Sequence, residues 1–153
     1  MSKGRVLITG ASSGIGAALA VQFAKNDYDL VITARRGQAL EAVRDFIDAG
    51  VDVDIITCDL ASSDGPANLT SEIEARGIQV DILVNNAGIA ATSQFGEFPQ
   101  DDIDNLLSLN ILALTYLTRA FMASMLQRGT GKILNVASVA AFQPVPSMGV
   151  YAA

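Results

Sequence analysis

Short runs of branched apolar residues alternate with segments of helical periodicity along the whole chain, and this alternation most constrains the fold. Arg5-Val6-Leu7-Ile8-Thr9 is apolar and β-branched and ends at Gly10, which is the pattern of a short strand. From Gly14 onward, Ile15, Leu19 and Phe23 recur every four residues and predict one face of a helix. Further strands are expected over Tyr28–Thr33, Val51–Cys58, Asp81–Asn85 and Lys132–Ala137. Further helices are expected over Gln38–Ala49, closed by Gly50, and after Ser62-Ser63-Asp64, carrying Leu69 and Ile73 and stopping near Gly77. A long helix over 104–128 ends before Gly129. Five nearly continuous apolar strands separated by four helical segments indicate an α/β fold with a parallel sheet covered on both faces. Right-handed crossovers are compatible with the strand order 3-2-1-4-5, a doubly wound sheet whose ligand crevice lies at the carboxyl ends of strands 1 and 4.

Composition narrows the function classes. With 153 residues, 50% hydrophobic and 17% charged, the chain is expected to form a single domain over 1–153 and not a disordered segment. It contains no His, which excludes a Ser-His-Asp triad, a Cys-His pair or a His-ligated metal from these residues. One cysteine, Cys58, forms neither an internal disulfide nor a Cys-rich zinc site and suits a reduced, cytoplasmic setting. A net charge of −6 argues against a nucleic-acid partner, whose phosphates call for a basic face. The apolar stretch Leu106–Leu126 carries Asn110 and Arg119, so it reads as a buried helix of a soluble protein and not as a membrane span.

Thr9-Gly10-Ala11-Ser12-Ser13-Gly14-Ile15-Gly16 joins the first strand to the first helix. Glycines allow a tight turn and close backbone approach, and the helix N-terminus offers free N–H groups and a positive dipole end, the physics of phosphate binding. The G-x3-G-x-G spacing differs from the commoner G-x-G-x-x-G fingerprint and from a Walker loop. The alternative is a small-residue turn that serves only strand–helix packing.

The same octet resembles the TGxxxGxG cofactor signature of the short-chain dehydrogenase/reductase family. Asn85-Asn86-Ala87-Gly88 resembles that family's NNAG element, Asn110 stands at the place of its helix asparagine, and Ser138 and Tyr151 resemble its catalytic serine and tyrosine. The resemblance implies a Rossmann-type dinucleotide-binding domain, incomplete at its C-terminal side, because longer family members add further strands and a substrate loop. It implies that Gly10, Ser12, Ser13, Gly14, Ile15 and Gly16 meet the cofactor phosphates. It also implies that Asn86, Ala87 and Gly88 line the crevice beside the nicotinamide ribose.

Dinucleotide enzymes commonly place an acidic residue after the second strand for the ribose 2′-hydroxyl, or an arginine where a 2′-phosphate must fit. Here that strand ends Thr33-Ala34-Arg35-Arg36. A guanidinium donates two hydrogen bonds at once to a phosphate, so NADP(H) is the expected cofactor. NAD(H) is the alternative if both arginines are only solvated loop residues. By resemblance, Asp59 accepts from the adenine amino group while the backbone near Leu60 holds the ring; capping of the next helix is the other role open to Asp59. Asp81 either steadies the adenine-side loops or begins a strand at the surface, and is left outside the site.

Without His, a proton donor for carbonyl reduction must be a Tyr, Lys, Cys or carboxyl. The resemblance assigns Tyr151 as general acid in reduction and general base in alcohol oxidation, with Ser138 hydrogen-bonded to the substrate oxygen. Asn110 either holds a water in a proton relay or is a satisfied polar core residue. A tyrosine ordinarily titrates at about 10, and in the family a lysine four residues later lowers that value. Here the chain reads Tyr151-Ala152-Ala153, and the lysine position falls past the last residue. The expected function is therefore the N-terminal part of an NADP(H)-dependent oxidoreductase acting on a small carbonyl or secondary alcohol. Two readings compete with it: a catalytically silent dinucleotide-binding fragment, and a structural fragment that needs a partner. The fifth strand is expected as an unpaired edge. The helix over 104–128 is expected to leave Leu112, Leu114, Leu117 and Phe121 partly exposed as a homo-oligomer contact. Phe95, Phe98, Phe142 and Val145 are either an apolar substrate flank or core residues.

Overall fold

The computed structural model describes residues 2–47 and 50–153. Its strands are β1 (Arg5–Thr9), β2 (Asp29–Ala34), β3 (Val53–Thr57), β4 (Ile82–Asn85) and β5 (Lys132–Asn135). They form one parallel sheet in the order β3-β2-β1-β4-β5, the order the sequence predicts. The helices are α1 (Gly14–Lys25), α2 (Gly37–Phe46), α3 (Gly65–Ala75), α4 (Gln100–Leu107), α5 (Leu114–Arg128) and the short α6 (Gly149–Ala152). The second helix is shorter than expected. Ile47 is already extended, at φ −82 and ψ 126, and the remaining expected positions, Asp48 and Ala49, lie outside the described residues.

Side chains alternate across the sheet with the two-residue period of a strand. Leu7, Val31 and Leu83 point to one face, where Leu69 and Ile73 of α3 and Leu117, Phe121 and Met125 of α5 cover them. Val6, Ile8, Leu30, Ile32, Ile82 and Val84 point to the other, under Ala20 of α1 and Leu40 of α2. The register Leu7↔Val31 and Leu7↔Leu83 aligns these stripes across three strands. Two expectations about faces need correction. Ile15 is 61% exposed, and the fully buried positions of α1 are Gly16 and Ala20. Leu117 and Phe121 are buried in the core, because the i, i+4, i+8 series Leu117-Phe121-Met125 faces the sheet. The exposed apolar side of this helix is Ile111, Leu112, Tyr116, Met122 and Leu126.

α4 and α5 form one continuous helix, Gln100–Arg128, joined through a π segment at Ser108–Ala113. At one edge of the sheet, β5 is mostly exposed. Its Ile133 packs on the α5 side, while Leu134, on the opposite face, is 42% exposed. At the other edge, the Arg76 guanidinium donates to the Ile55 carbonyl at 3.4 Å and so engages an edge group of β3.

The end of the sheet where the strands begin is tied by charge. Arg5 donates to Asp54 at 3.0 Å and lies 3.7 Å from both Asp29 and Asp52. Asp81 accepts the Arg5 backbone N–H at 2.9 Å and the Gln79 amide at 2.8 Å. It therefore starts β4, far from the loops where the strands end. Burial pushes the Asp29 carboxyl upward, but the Asp52 backbone N–H, Ser2 and Arg5 outweigh it and hold the group below the ordinary carboxylate value.

Two outcomes follow from this packing. Leu117→Ala is expected to cost about 2–5 kcal/mol, whereas Leu126→Ala stays within about 0.5 kcal/mol, as read by urea unfolding. A depressed carboxylate stabilises the fold above its unfolded-state pKa and loses that contribution as pH falls through the folded value. Asp29→Asn should therefore lower the thermal midpoint at neutral pH and narrow the difference between neutral and strongly acidic pH, and an unchanged difference would assign acid sensitivity to other carboxylates.

Candidate functional site

The site is built where β1 and β4 end side by side. Thr9, the last residue of β1, is 1% exposed. Its hydroxyl accepts the backbone N–H groups of Asn86 at 3.0 Å and Ala87 at 2.9 Å and donates to the Val84 carbonyl at 3.3 Å. Asn86 returns the contact, its side-chain amide donating to the Thr9 carbonyl at 2.9 Å and the Gly10 carbonyl at 3.2 Å. The glycine loop and the Asn86-Ala87-Gly88 loop are thus laced together. The closeness explains two glycines. A Cβ at Gly10, whose φ is +65, would stand 2.7 Å from Ala87 Cα, and one at Gly16 would stand 2.5 Å from both Asn86 Nδ2 and the Gly10 carbonyl oxygen.

Ser13 holds the N-cap position of α1, its side chain makes no capping bond, and no acidic residue lies in the first turn. The first return bond of the helix runs from Ala17 N–H to the Ser13 carbonyl at 3.3 Å. The N–H groups of the first turn therefore have no partner within the helix, and the positive end of the helix dipole faces the loop.

This end of α1 opens on a crevice of about 370 Å³ lined by Gly10, Ser12, Ser13, Ile15, Arg35, Arg36, Asp59, Leu60, Asn86, Ala87 and Gly88. Of the sequence-predicted cofactor residues, Gly14 and Gly16 stand outside the lining: Gly14 opens α1 and Gly16 is buried beneath the loop. Helix capping by Asp59 does not occur. Asp64 occupies the N-cap position of α3, and the Asp59 carboxylate instead accepts the Ala61 N–H at 3.1 Å, turning the loop at the crevice rim.

Ala34, Cys58, Ile89 and Leu109 also line the crevice and were not singled out from the sequence. Each neighbours a residue that was, and adjacency in the chain was the available signal. The Cys58 Sγ donates to the Gly65 carbonyl at 3.2 Å. Burial pushes its thiol up and the neighbouring Asp59 charge adds to the effect, so Cys58 remains a protonated thiol and a poor nucleophile.

The three residues expected to carry the chemistry are not among those that line the crevice. Asn110 lies in the π segment, where its amide accepts the Ile89 N–H at 2.9 Å and donates to the Ile89 carbonyl at 2.8 Å. It thereby straps the loop that follows Gly88 to the long helix. Ser138 caps a 3-10 turn at Val139–Phe142, its hydroxyl accepting the Ala140 N–H at 3.1 Å. Tyr151 is half-buried on α6, and α6 packs against that 3-10 turn. The serine and tyrosine segments are therefore neighbours.

The lacing through Thr9 gives a test. Thr9→Val keeps the shape but leaves the Asn86 and Ala87 N–H groups without their acceptor, at about 1–3 kcal/mol per stranded group. Urea unfolding should show that loss, and Thr9→Ser should recover most of it; a Thr9→Val chain of unaltered stability would contradict the role assigned to the hydroxyl.

The family model for short chain dehydrogenase matches residues 4–153. Gluconate 5-dehydrogenase from Gluconobacter oxydans is 33% identical over 154 aligned residues, covering 100% of this chain and 60% of that protein. Among solved structures, the bulky-bulky ketone specific alcohol dehydrogenase from Comamonas testosteroni superposes with a TM-score of 0.92 at 34% identity, covering 99% of this chain and 61% of the other. A short-chain dehydrogenase from Sphingobium yanoikuyae in complex with NADPH gives 0.90 at 38% identity, with 97% and 59% covered. The chain thus spans about three fifths of the length of these relatives. Sheet order, laced glycine loop and family match agree over essentially every residue described, and the chain belongs to the short chain dehydrogenase family.

Proposed function

We propose that residues 1–153 form a dinucleotide-binding unit that takes NADP(H) and serves hydride transfer to or from a carbonyl or secondary alcohol carbon. The observation that carries this reading is the crevice at the ends of β1 and β4, where an uncapped helix N-terminus, Arg35, Arg36 and the Asn86-Ala87-Gly88 loop converge. The crevice suits a dinucleotide by its chemistry. Partnerless N–H groups and a dipole end meet a pyrophosphate, and two exposed guanidinium groups with no carboxylate at that corner suit a 2′-phosphate. Asp59 and Leu60 hold the adenine end, and Asn86, Ala87 and Gly88 the nicotinamide ribose end. The bound cofactor supplies a hydride at its nicotinamide ring.

In this reading the remaining work falls to residues of this chain. Tyr151 gives its phenolic proton to the substrate oxygen in reduction and takes it back in oxidation. Ser138 turns its hydroxyl from the Ala140 N–H toward the same oxygen and stabilises developing charge there. Asn110 fixes Ile89 and, through it, the wall at Gly88, and its carboxamide oxygen keeps a second lone pair for a relay water. The exposed side of the long helix, with Ile111, Leu112, Tyr116, Met122 and Leu126, is proposed as a contact between copies of the chain. A free thiol at Cys58 agrees with a cytoplasmic setting. A second reading, cofactor binding without turnover, is favoured by one observation: the crevice lining is assembled while Ser138, Tyr151 and Asn110 all stand outside it.

Titration of NADPH fluorescence tests both. NADPH should bind more tightly than NADH, and replacing both Arg35 and Arg36 by Ala should weaken NADPH by on the order of tenfold or more while sparing NADH. Tighter NADH binding would remove the NADP(H) assignment. Carbonyl-dependent NADPH oxidation by the 153-residue chain would remove the silent reading.

A further inference from the structure

Phe46, Phe95, Val139 and Phe142 are the most exposed large apolar side chains among the described residues. Phe95 and Phe142 are therefore not core residues, and Phe98 and Val145 are only partly buried. Phe46, 79% exposed, lies elsewhere: it closes α2, which packs on β2 and β3. There it ends an apolar groove of about 440 Å³ between α1 and α2. Ala39, Ala42, Val43 and Phe46 fall at i, i+3, i+4 and i+7 and so share one side of α2, while Ala17, Ala18 and Val21 line the groove from α1. The positions that the sheet needs from these two helices, Ala20 and Leu40, are fully buried in the core. The groove residues are apolar surface beyond that requirement.

Charge is unequal along the groove. α1 and α2 follow neighbouring parallel strands, so they run the same way and their N-termini stand at one end. At that end Ser12 lines both the groove and the crevice. Arg36 precedes Ala39 by one turn with Arg35 beside it, both exposed and without an ion-pair partner among the described residues. Arg36 also holds the N-cap position of α2, where no side chain caps the helix and no acidic residue lies in the first turn. The opposite end carries the negative dipole ends of both helices, with Lys25 and Arg44 in their last turns and Arg44 already 3.6 Å from Asp45. An anion is therefore favoured at the Ser12 end, where two uncapped N-termini and two guanidinium groups gather.

Shape limits the occupant. Packed helices stand about 8–10 Å apart axis to axis, so the trough between them suits a single extended chain better than a further helix about 10–12 Å across. From Arg36 to Phe46 the trough runs about 15 Å at 1.5 Å per residue. That length takes a head group and an alkyl chain of about ten carbons with bonds of about 1.5 Å.

We propose that this groove binds a free single-chain phosphate monoester, its tail along Ala18, Ala42 and Phe46 and its phosphate at Arg35 and Arg36. The head takes the corner assigned above to the cofactor 2′-phosphate, so the amphiphile and NADPH exclude each other. Only that exclusion rests on the NADP(H) reading; the tail site stands on the groove itself.

The test titrates ethyl, hexyl and decyl phosphate, each as monomer, into the chain by calorimetry and amide-resolved NMR. Decyl phosphate should bind saturably, with shifts at Arg35 and Arg36, over residues 17–21 and over residues 39–46. Affinity should rise about twofold per methylene, against about fourfold for full burial, because one side of the tail stays in water. Decanol should bind about tenfold more weakly, and replacing both Arg35 and Arg36 by Ala should bring decyl phosphate to within about threefold of decanol. Ala42→Gln, at an exposed helical position, raises the floor and should remove the gain per methylene while sparing ethyl phosphate; Phe46→Ser serves the same purpose if Ala42→Gln does not fold. NADPH should displace decyl phosphate about tenfold more effectively than NADH. Affinity independent of chain length, decanol binding as tight as that of decyl phosphate, or shifts confined to other residues would overturn the proposal. So would attachment to anionic phospholipid vesicles without binding of the free amphiphile, or shifts at the same amides on raising protein concentration alone, which would give the groove to a second copy. Chain-length-dependent binding of decyl phosphate without any binding of NADPH would support the groove and overturn the NADP(H) reading. NADPH binding that leaves decyl phosphate in place would overturn the placement of its head.

Discussion

A single buried hydroxyl holds the functional end of the sheet in register. Thr9 ends the central strand and its oxygen reaches three backbone groups of the neighbouring β4 segment, at Val84, Asn86 and Ala87. In a doubly wound sheet the chain leaves in opposite directions on either side of this point, which opens the crevice there. The same divergence removes the strand-to-strand hydrogen bonds that would otherwise fix the two departing loops. The Thr9 hydroxyl and the Asn86 side chain replace them. Everything that lines the crevice from the glycine loop or from Asn86-Ala87-Gly88 is positioned against that short lacing.

Charge and apolar packing divide the molecule along the strand direction. Arg5, Asp29, Asp52, Asp54 and Asp81 gather where the strands start, far from the glycine loop. That end is closed by ion pairs, whereas the other is open and built from backbone donors, Arg35 and Arg36. A surface ion pair contributes modestly on its own, but Arg5 meets three carboxylates at once and is itself only partly exposed. The cluster therefore anchors the starts of β1, β2 and β3 without intruding on the crevice.

Much of this arrangement was legible in the sequence. The strands and helices follow from short apolar runs and helical spacing, with which the observed order is compatible through crossover handedness, and the glycine loop from Gly10 and Gly16, where any side chain would collide with the adjoining loop. Three kinds of feature were not legible. Helix and strand ends depend on hydrogen bonds that no residue type dictates: Ile47 leaves α2 early, while Val136 still donates to the Asn85 carbonyl past the end of β5. The direction of a helix face depends on what covers it. Leu117 and Phe121, expected at a subunit contact, face the sheet with Met125 as a core stripe. Finally, Asp59 carries the same acceptor whether it caps a helix or turns a loop, and only the position of Ala61 decides between them.

The π segment at Ser108–Ala113 has a mechanical consequence. It accommodates an extra residue in one turn of an otherwise α-helical rod, and a wide turn of this kind has poorer backbone hydrogen bonding than the turns beside it. Asn110 sits in that turn and grips both backbone groups of Ile89. Conversion of the turn to α geometry would slide the asparagine along the axis by about 1.5 Å per residue of register and drag Ile89 with it. The wall at Gly88 is thus tied to a helix whose far end, at Arg128, donates to the Val80 carbonyl just before β4 begins. One rod thus holds both flanks of β4, at Val80 ahead of it and, through one carboxamide, at Ile89 after it.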